Sequence, residues 1–250
     1  MKIRIFGSSA ELGENAADYC AGILNDSIRE KGTARMLVST GASQFETLSA
    51  LSKKDVNWSK VEMFHLDEYI GLPITHMASF RKYLQERFIS KVNLKRVHLV
   101  DGEGDFMSTI KRLSDEVTEA PIDLGIIGIG ENAHIAFNDP PADFETDEPY
   151  IAVTLDDDCK KQQVREGWFP DLESVPVQAI SMSPRQIMKC VRIASCVPYE
   201  VKAKAIKRTL ENDTTPLIPA TLLKEHKNIV LFLDMESSSL VDKAVLNRFV

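Results

Sequence analysis

The stretch LGIIGIGENAHIAFNDP, residues 124–140, carries a histidine just beyond an apolar run that breaks into glycines. Asn132, Asn138 and Asp139 lie within five residues of His134, and Pro140 and Pro141 stop the chain from continuing as a helix. A second polar cluster, Asp67, Glu68 and Tyr69, follows another apolar run, Val61 to Leu66. A lone histidine in a loop is ordinarily a solvated bystander, and a lone aspartate after a strand ordinarily a turn or cap residue. Two strand ends that both carry acid and base groups point instead to proton-transfer chemistry, with Asp67 placed to act as a general base.

Two further groups could hold an anion. Ser39 to Glu46 follows a strand and opens a helix, and Ser43 and Glu46 have the spacing of a capping box. Free N–H groups at such a helix start, with the Thr40 and Ser43 hydroxyls, make an anion site; no Walker lysine follows. Arg165 and Lys202 could pair with a phosphate. Gly128-Ile129-Gly130-Glu131-Asn132-Ala133 matches the dinucleotide fingerprint G-x-G-x-x-A. That reading fails, because Asn138-Asp139-Pro140-Pro141 follows where a helix should run, and the fingerprint belongs to the first βαβ unit. The glycines instead let backbone N–H groups approach a ligand closely.

These residues need a scaffold that presents strand ends. Strand patterns occur at 3–6, 36–39, 61–66, 97–100, 124–129, 151–155, 179–182, 191–197 and 229–233, and helical patterns lie between most of them, at 11–30, 44–52, 80–89, 108–118, 201–210 and 238–248. Such alternation predicts an α/β fold, a doubly wound, mostly parallel sheet with helices on both faces, Rossmann-like. In such sheets ligands bind at the carboxyl ends of the strands. No linker or repeat interrupts the chain, so residues 1–250 read as one domain. Residues 156–175 break the rhythm, with a short helix at 159–165, a glycine and the exposed aromatics Trp168 and Phe169; they read as a lid insertion or a capped surface loop.

The composition is that of a globular protein, 44% hydrophobic and 27% charged. A net charge of −7, with no run of more than two Lys or Arg, argues against a nucleic-acid surface. No apolar run approaches the roughly 18 residues of a membrane span, and the first residues read as a strand, not a signal peptide. Four cysteines without CxxC spacing argue against zinc or a disulfide framework and fit a reducing compartment. The expectation is a soluble, cytoplasmic protein.

Taken in order, these segments resemble the glucosamine-6-phosphate deaminase/isomerase family, which shares a superfamily with 6-phosphogluconolactonase. The resemblance runs from about Leu37 to about Asp234. It rests on Thr40-Gly41-Ala42-Ser43 as the phosphate loop, on F-x-x-DEY-x-GL at 64–72, and on the motif G-I-G-x-N-A-H-I-A-F-N-D-P at 128–140. It implies that Asp67 moves the C2 proton of an opened amino sugar to C1. His134 opens the pyranose ring, and Asn132 and Asp139 orient His134. Thr40, Gly41, Ala42, Ser43, Arg165 and Lys202 hold the phosphate, while Glu68, Gly130 and Ala133 form the substrate loop. The products implied are a ketose 6-phosphate and ammonia, with no metal or redox cofactor. The partner implied is a small sugar phosphate, from glucosamine or galactosamine. A homo-oligomer is compatible with this reading.

The chain departs from the family pattern at three positions. Asp139 stands where the family usually has Glu, so its contact with His134 is expected to lengthen or to need a water. Asn132 replaces an aspartate found in many members, and Ala133 replaces the usual Gly, which disfavours φ > 0. The chain also ends soon after its last strand–helix pair, so the tail that aids allosteric regulation in some members is expected to be absent. Alternative readings are a 6-phosphogluconolactonase-like hydrolase and a non-catalytic sugar-phosphate sensor. The Ile135-Ala136-Phe137-Asn138 run after His134 speaks against the first. Retention of both Asp67 and His134 speaks against the second.

Overall fold

The computed structural model describes residues 1–249. Ten strands form in chain order: β1 (Lys2–Phe6), β2 (Ala34–Val38), β3 (Val61–His65), β4 (Asp67–Tyr69), β5 (Arg96–His98), β6 (Leu124–Ile127), β7 (Tyr150–Thr154), β8 (Gln178–Met182), β9 (Arg192–Val197) and β10 (Ile229–Asp234). The helices are α1 (Ser9–Lys31), α2 (Phe45–Leu51), α3 (Phe80–Arg87), α4 (Phe106–Thr118), α5 (Asp157–Arg165), α6 (Pro184–Ile187), α7 (Ala203–Glu211) and α8 (Lys243–Leu246). Seven strands make an all-parallel sheet in the order β1-β10-β9-β6-β2-β3-β5. Alternate side chains of β2 leave it on opposite faces. Met36 and Val38 enter one core with α1, α2 and α3, and Leu37 enters the other with α4 and α7. The expected doubly wound α/β architecture is therefore present. From β2 the chain moves outward to β3 and β5; from β6 it moves the other way to β9 and β10. The gap between β2 and β6 is thus the topological switch point, where a ligand crevice opens at the strand ends.

Not every strand joins this sheet. β7 and β8, with β4, make a separate antiparallel sheet in the order β4-β8-β7. Period-2 patterns give no sheet membership, so the sequence could not separate them. The chain changes sheets at Leu66, whose N–H donates to Val38 O in the large sheet (3.2 Å) and whose carbonyl accepts from Met182 N in the small one (3.0 Å). The pattern at 238–248 yields only the short α8. The capping box expected at Ser43 and Glu46 does not form: α2 is preceded by a 3₁₀ turn over Ala42–Gln44 and has no side-chain cap. The same spacing caps α1, where Ser8 accepts from Glu11 N and Glu11 accepts from Gly7 N. Among the described residues, no helix is long and apolar enough to cross a membrane. All four cysteines are free and buried.

Candidate active site

A cavity of about 340 Å³ opens at the switch point, and the segments following β2, β3, β6 and β9 all reach it. It is large enough for a hexose phosphate. Asp67 owes its place there to the sheet change at Leu66, which carries it out of the parallel sheet at its carboxyl end. Asp67 is buried, and among the described residues its carboxyl accepts no hydrogen bond. Burial pushes it well above the usual carboxylate range, and Glu68 adds to the rise. Glu68, expected in the substrate loop, lies outside the cavity. As the next residue of β4 it faces the opposite side. There it accepts from Ser79 Oγ (2.9 Å), Phe80 N (3.2 Å) and Arg81 N (2.8 Å), and pairs with Arg81. It anchors the start of α3.

After β6 the chain turns tightly. His134 Nδ1 meets Asp139 Oδ1 at 2.7 Å, a direct contact, contrary to the expectation that the shorter side chain would lengthen it. The turn over residues 135–138, where Asn138 N donates to Ile135 O (3.1 Å), brings residue 139 back far enough for an aspartate to reach. Burial alone raises an aspartic acid, yet hydrogen bonds from His134, Asn132 and Asp156 N outweigh it and hold Asp139 below the usual range. An ionised Asp139 places the ring proton on Nδ1 and leaves Nε2 as an acceptor. Asn132 does not touch the imidazole. Its Nδ2 donates to Asp139 Oδ1 (3.0 Å) and its Oδ1 accepts from His134 N (3.0 Å), so it fixes the loop and the carboxylate. Asn132, Ala133 and Asp139 stand behind the cavity wall, whereas His134 and Gly130 line it. A Cβ at Gly130 would sit 2.1 Å from His134 Nε2, so only glycine admits the ring. Ala133 adopts φ 71, Ala136 φ 52 and Tyr199 φ 81. Left-handed non-glycine residues cost about 1–3 kcal/mol each and gather at functional sites.

Thr40, Gly41, Ala42 and Ser43 line the cavity with Arg165 and Lys202. Among the described residues, nothing in the chain accepts the Ala42 or Ser43 N–H. Lys202 is buried and has no ion-pair partner among the described residues. Burial lowers its ammonium, with Glu166 and Glu131 opposing and Arg165 reinforcing. A desolvated cation beside free N–H groups is a socket for an anion. Arg165, in the last turn of α5, is not free: it pairs with Glu131. Helix α5 and the turn before it run along the 130–139 loop. Asp156 N donates to Asp139 Oδ2 (3.2 Å) and Gln162 Oε1 accepts from Glu131 N (3.1 Å). Trp168 stays partly exposed, but Phe169, expected to be exposed, is buried against Tyr69. His134, Asp139 and Cys159 bring potential metal ligands within 4.8 Å of one another. Burial and the nearby Asp139 and Asp156 carboxylates push the Cys159 thiol well up. Glu131 and Tyr199 also line the cavity; each follows a strand end, and neither has a role expected from the sequence.

The chain is similar to proteins of known function. Residues 7–232 match the model of the family described as glucosamine-6-phosphate isomerases/6-phosphogluconolactonase. A glucosamine-6-phosphate deaminase of Lactobacillus delbrueckii subsp. bulgaricus is 31% identical over 242 residues, covering 96% of this chain and all of that protein. One of Thermoanaerobacter sp. is 32% identical, over 96% of this chain and 95% of its own length. Among solved structures, a monomeric glucosamine-6-phosphate deaminase superposes with a TM-score of 0.86 at 27% identity, covering 96% of this chain and 100% of the other. The 6-phosphogluconolactonase of Thermotoga maritima shares the fold, with a TM-score of 0.77 at 16% identity over 93% of this chain and 99% of its own. With the matched region spanning all four strand ends that build the cavity, the chain belongs to the glucosamine-6-phosphate isomerase/6-phosphogluconolactonase family.

Proposed function

We propose that the protein is an amino-sugar-phosphate deaminase/isomerase, converting glucosamine-6-phosphate or galactosamine-6-phosphate to a ketose 6-phosphate and ammonia. The observation that carries this reading is that one cavity holds two buried ionisable groups, the Asp67 carboxyl and the Lys202 ammonium, that lack an ion-pair partner among the described residues. Lys202, the 40–43 loop and Arg165 hold the phosphate, and that remote binding energy positions the sugar for a modest acid–base set. His134 Nε2 takes the O1 proton and returns it to the ring oxygen as the C1–O5 bond breaks. Asp139 stabilises the transient imidazolium. Asp67 then removes the C2 proton, and the resulting enolamine receives it at C1. The C2 imine so formed is hydrolysed by water, releasing ammonia and leaving a C2 ketone. The raised Asp67 carboxyl suits this role, since a more basic carboxylate is a stronger acceptor for a carbon acid's proton.

The relatives named as deaminases support the same substrate class. The test is exchange at C2: incubated with glucosamine-6-phosphate in D₂O, the protein is expected to wash deuterium into the product at C1 or into recovered substrate at C2. A product and substrate both free of solvent deuterium, at full turnover, are compatible only with complete internal transfer, which substrate deuterated at C2 then reveals as label at C1. Absence of label from both experiments removes Asp67 as the base.

A further inference from the structure

The cavity's cation end carries two carboxylates, Glu131 and Glu166, that a phosphate socket does not call for. Glu131 lies between the glycines and His134, in the loop that forms the cavity wall, and its carboxylate is paired with Arg165. Its side chain is 18% exposed and that of Arg165 56% exposed, so the pair sits at the mouth. The backbone of Glu131 is held by α5 through Gln162, and Gln162 Nε2 donates to Glu166 Oε1 (2.7 Å). Trp168 Nε1 donates to Glu166 Oε2 (3.0 Å). The Glu166 carboxylate is therefore occupied by neutral donors, and Glu131 is the carboxylate that takes an arginine. Its field also reaches Lys202, where it raises the ammonium against the effect of burial.

We infer that Glu131 occupies Arg165 in the resting protein in place of a phosphate, and so sets the affinity of the site for the phosphate group it binds. This rests on the reading of the Arg165–Lys202 end as a phosphate socket. A phosphate dianion brings more charge and three acceptor oxygens, and can form a charge-assisted fork with Arg165 that Glu131 then relinquishes. Until that exchange, Arg165 is shielded and the lid helix is tied to the 130–139 loop at its C-terminal end. Glu131 is a positioning residue, acting through Arg165, and its cost falls on binding rather than on the proton transfers at Asp67 and His134.

The experiment is calorimetric titration of inorganic phosphate into the full chain and into Glu131→Gln, Arg165→Gln and the double variant, with thermal melts to establish folding. Glu131→Gln is expected to bind phosphate about fivefold more tightly than the wild type, the factor that corresponds to about 1 kcal/mol for a partly exposed ion pair. In the Arg165→Gln background the same substitution is expected to change affinity by less than twofold. Equal affinities of wild type and Glu131→Gln overturn the inference and leave the socket intact. An undiminished gain in the Arg165→Gln background also overturns it, because Glu131 then acts on Lys202 directly. Phosphate bound by none of the four removes the socket, and with it the substrate reading. With glucosamine-6-phosphate, Glu131→Gln is expected to lower KM by a similar factor without raising kcat; a raised kcat at unchanged KM contradicts a role in binding.

Discussion

Asp67 holds a carboxyl where an ionised carboxylate is disfavoured, and that cost is measurable. Its folded value lies above its unfolded value of about 3.9. Its stabilising contribution is fully present below that pH and is lost as pH rises through the folded value. Asp67→Asn is therefore expected to melt higher than the wild type at pH 8, by roughly 2–4 °C for each kcal/mol relieved. The difference should shrink as the pH is lowered towards 4. The same variant is expected to lose ammonia release while binding inorganic phosphate within about twofold of the wild type. Turnover left unchanged by the substitution contradicts the assignment of the base. Lys202 makes the complementary case. Lys202→Met is expected to raise KM by about 10- to 100-fold, the worth of a charge-assisted contact, with no loss of Tm, because the buried ammonium has no ion-pair partner among the described residues to lose. A Tm that falls while KM stays put would mark Lys202 as structural. At this scale the sequence was legible where a motif fixed the residue type: Asp67, His134, Thr40–Ser43 and Lys202 all reach one cavity. It misled at Glu68, where strand alternation overrides adjacency; for Asn132 it gave no partner atoms, because these depend on how the loop closes.

At the scale of elements, the 130–139 loop concentrates the strain. Ala133 holds φ 71 with its methyl buried. Replacing it by Gly relieves about 1–2 kcal/mol of left-handed strain, offset by the unfolded chain's gain of freedom and by one lost methyl, about 0.4–1 and about 0.8 kcal/mol. Ala133→Gly is expected to leave Tm within about 2 °C. Ala205→Gly, also a buried alanine but inside α7, has no strain to relieve. It is expected to lose about 2 kcal/mol, or about 4–8 °C. Similar losses at the two sites would show that residue 133 is not strained. The strands were legible because nine apolar runs became strands. Short elements whose existence depends on docking were less so: β4 exists only by pairing with β8, and the helix expected at 238–248 shrinks to four residues at 243–246. Of the lid expected at 156–175, the structure orders α5 against the 130–139 loop through Asp156, Gln162 and Arg165.

At the scale of the whole molecule, the two sheets share one apolar core. Tyr150, Ile180 and Met182 of the small sheet pack with Leu37, Phe64 and Ile127 of the large one. Tyr150 Oη donates to His65 O at 2.7 Å across the boundary. We expect a single cooperative unit. In native-state hydrogen exchange, the interior amides of β6 and β8 should share the slowest class, opening only with global unfolding, while those of α5 open at lower free energy. Faster exchange of β8 than of β6 by more than about tenfold would divide the chain into separately unfolding parts. The doubly wound order was legible as a class from strand–helix alternation. The strand order, and with it the switch point that gathers the four loops, was not, because pairing is decided by long-range packing that leaves no local trace.

The deaminase reading stands or falls on ammonia release from glucosamine-6-phosphate and galactosamine-6-phosphate, measured beside hydrolysis of 6-phosphogluconolactone, by the purified protein with no metal added. Ammonia is expected from at least one amino sugar phosphate, with its release lost in Asp67→Asn, and no lactone hydrolysis above the spontaneous rate. Lactone hydrolysis without ammonia release would contradict it.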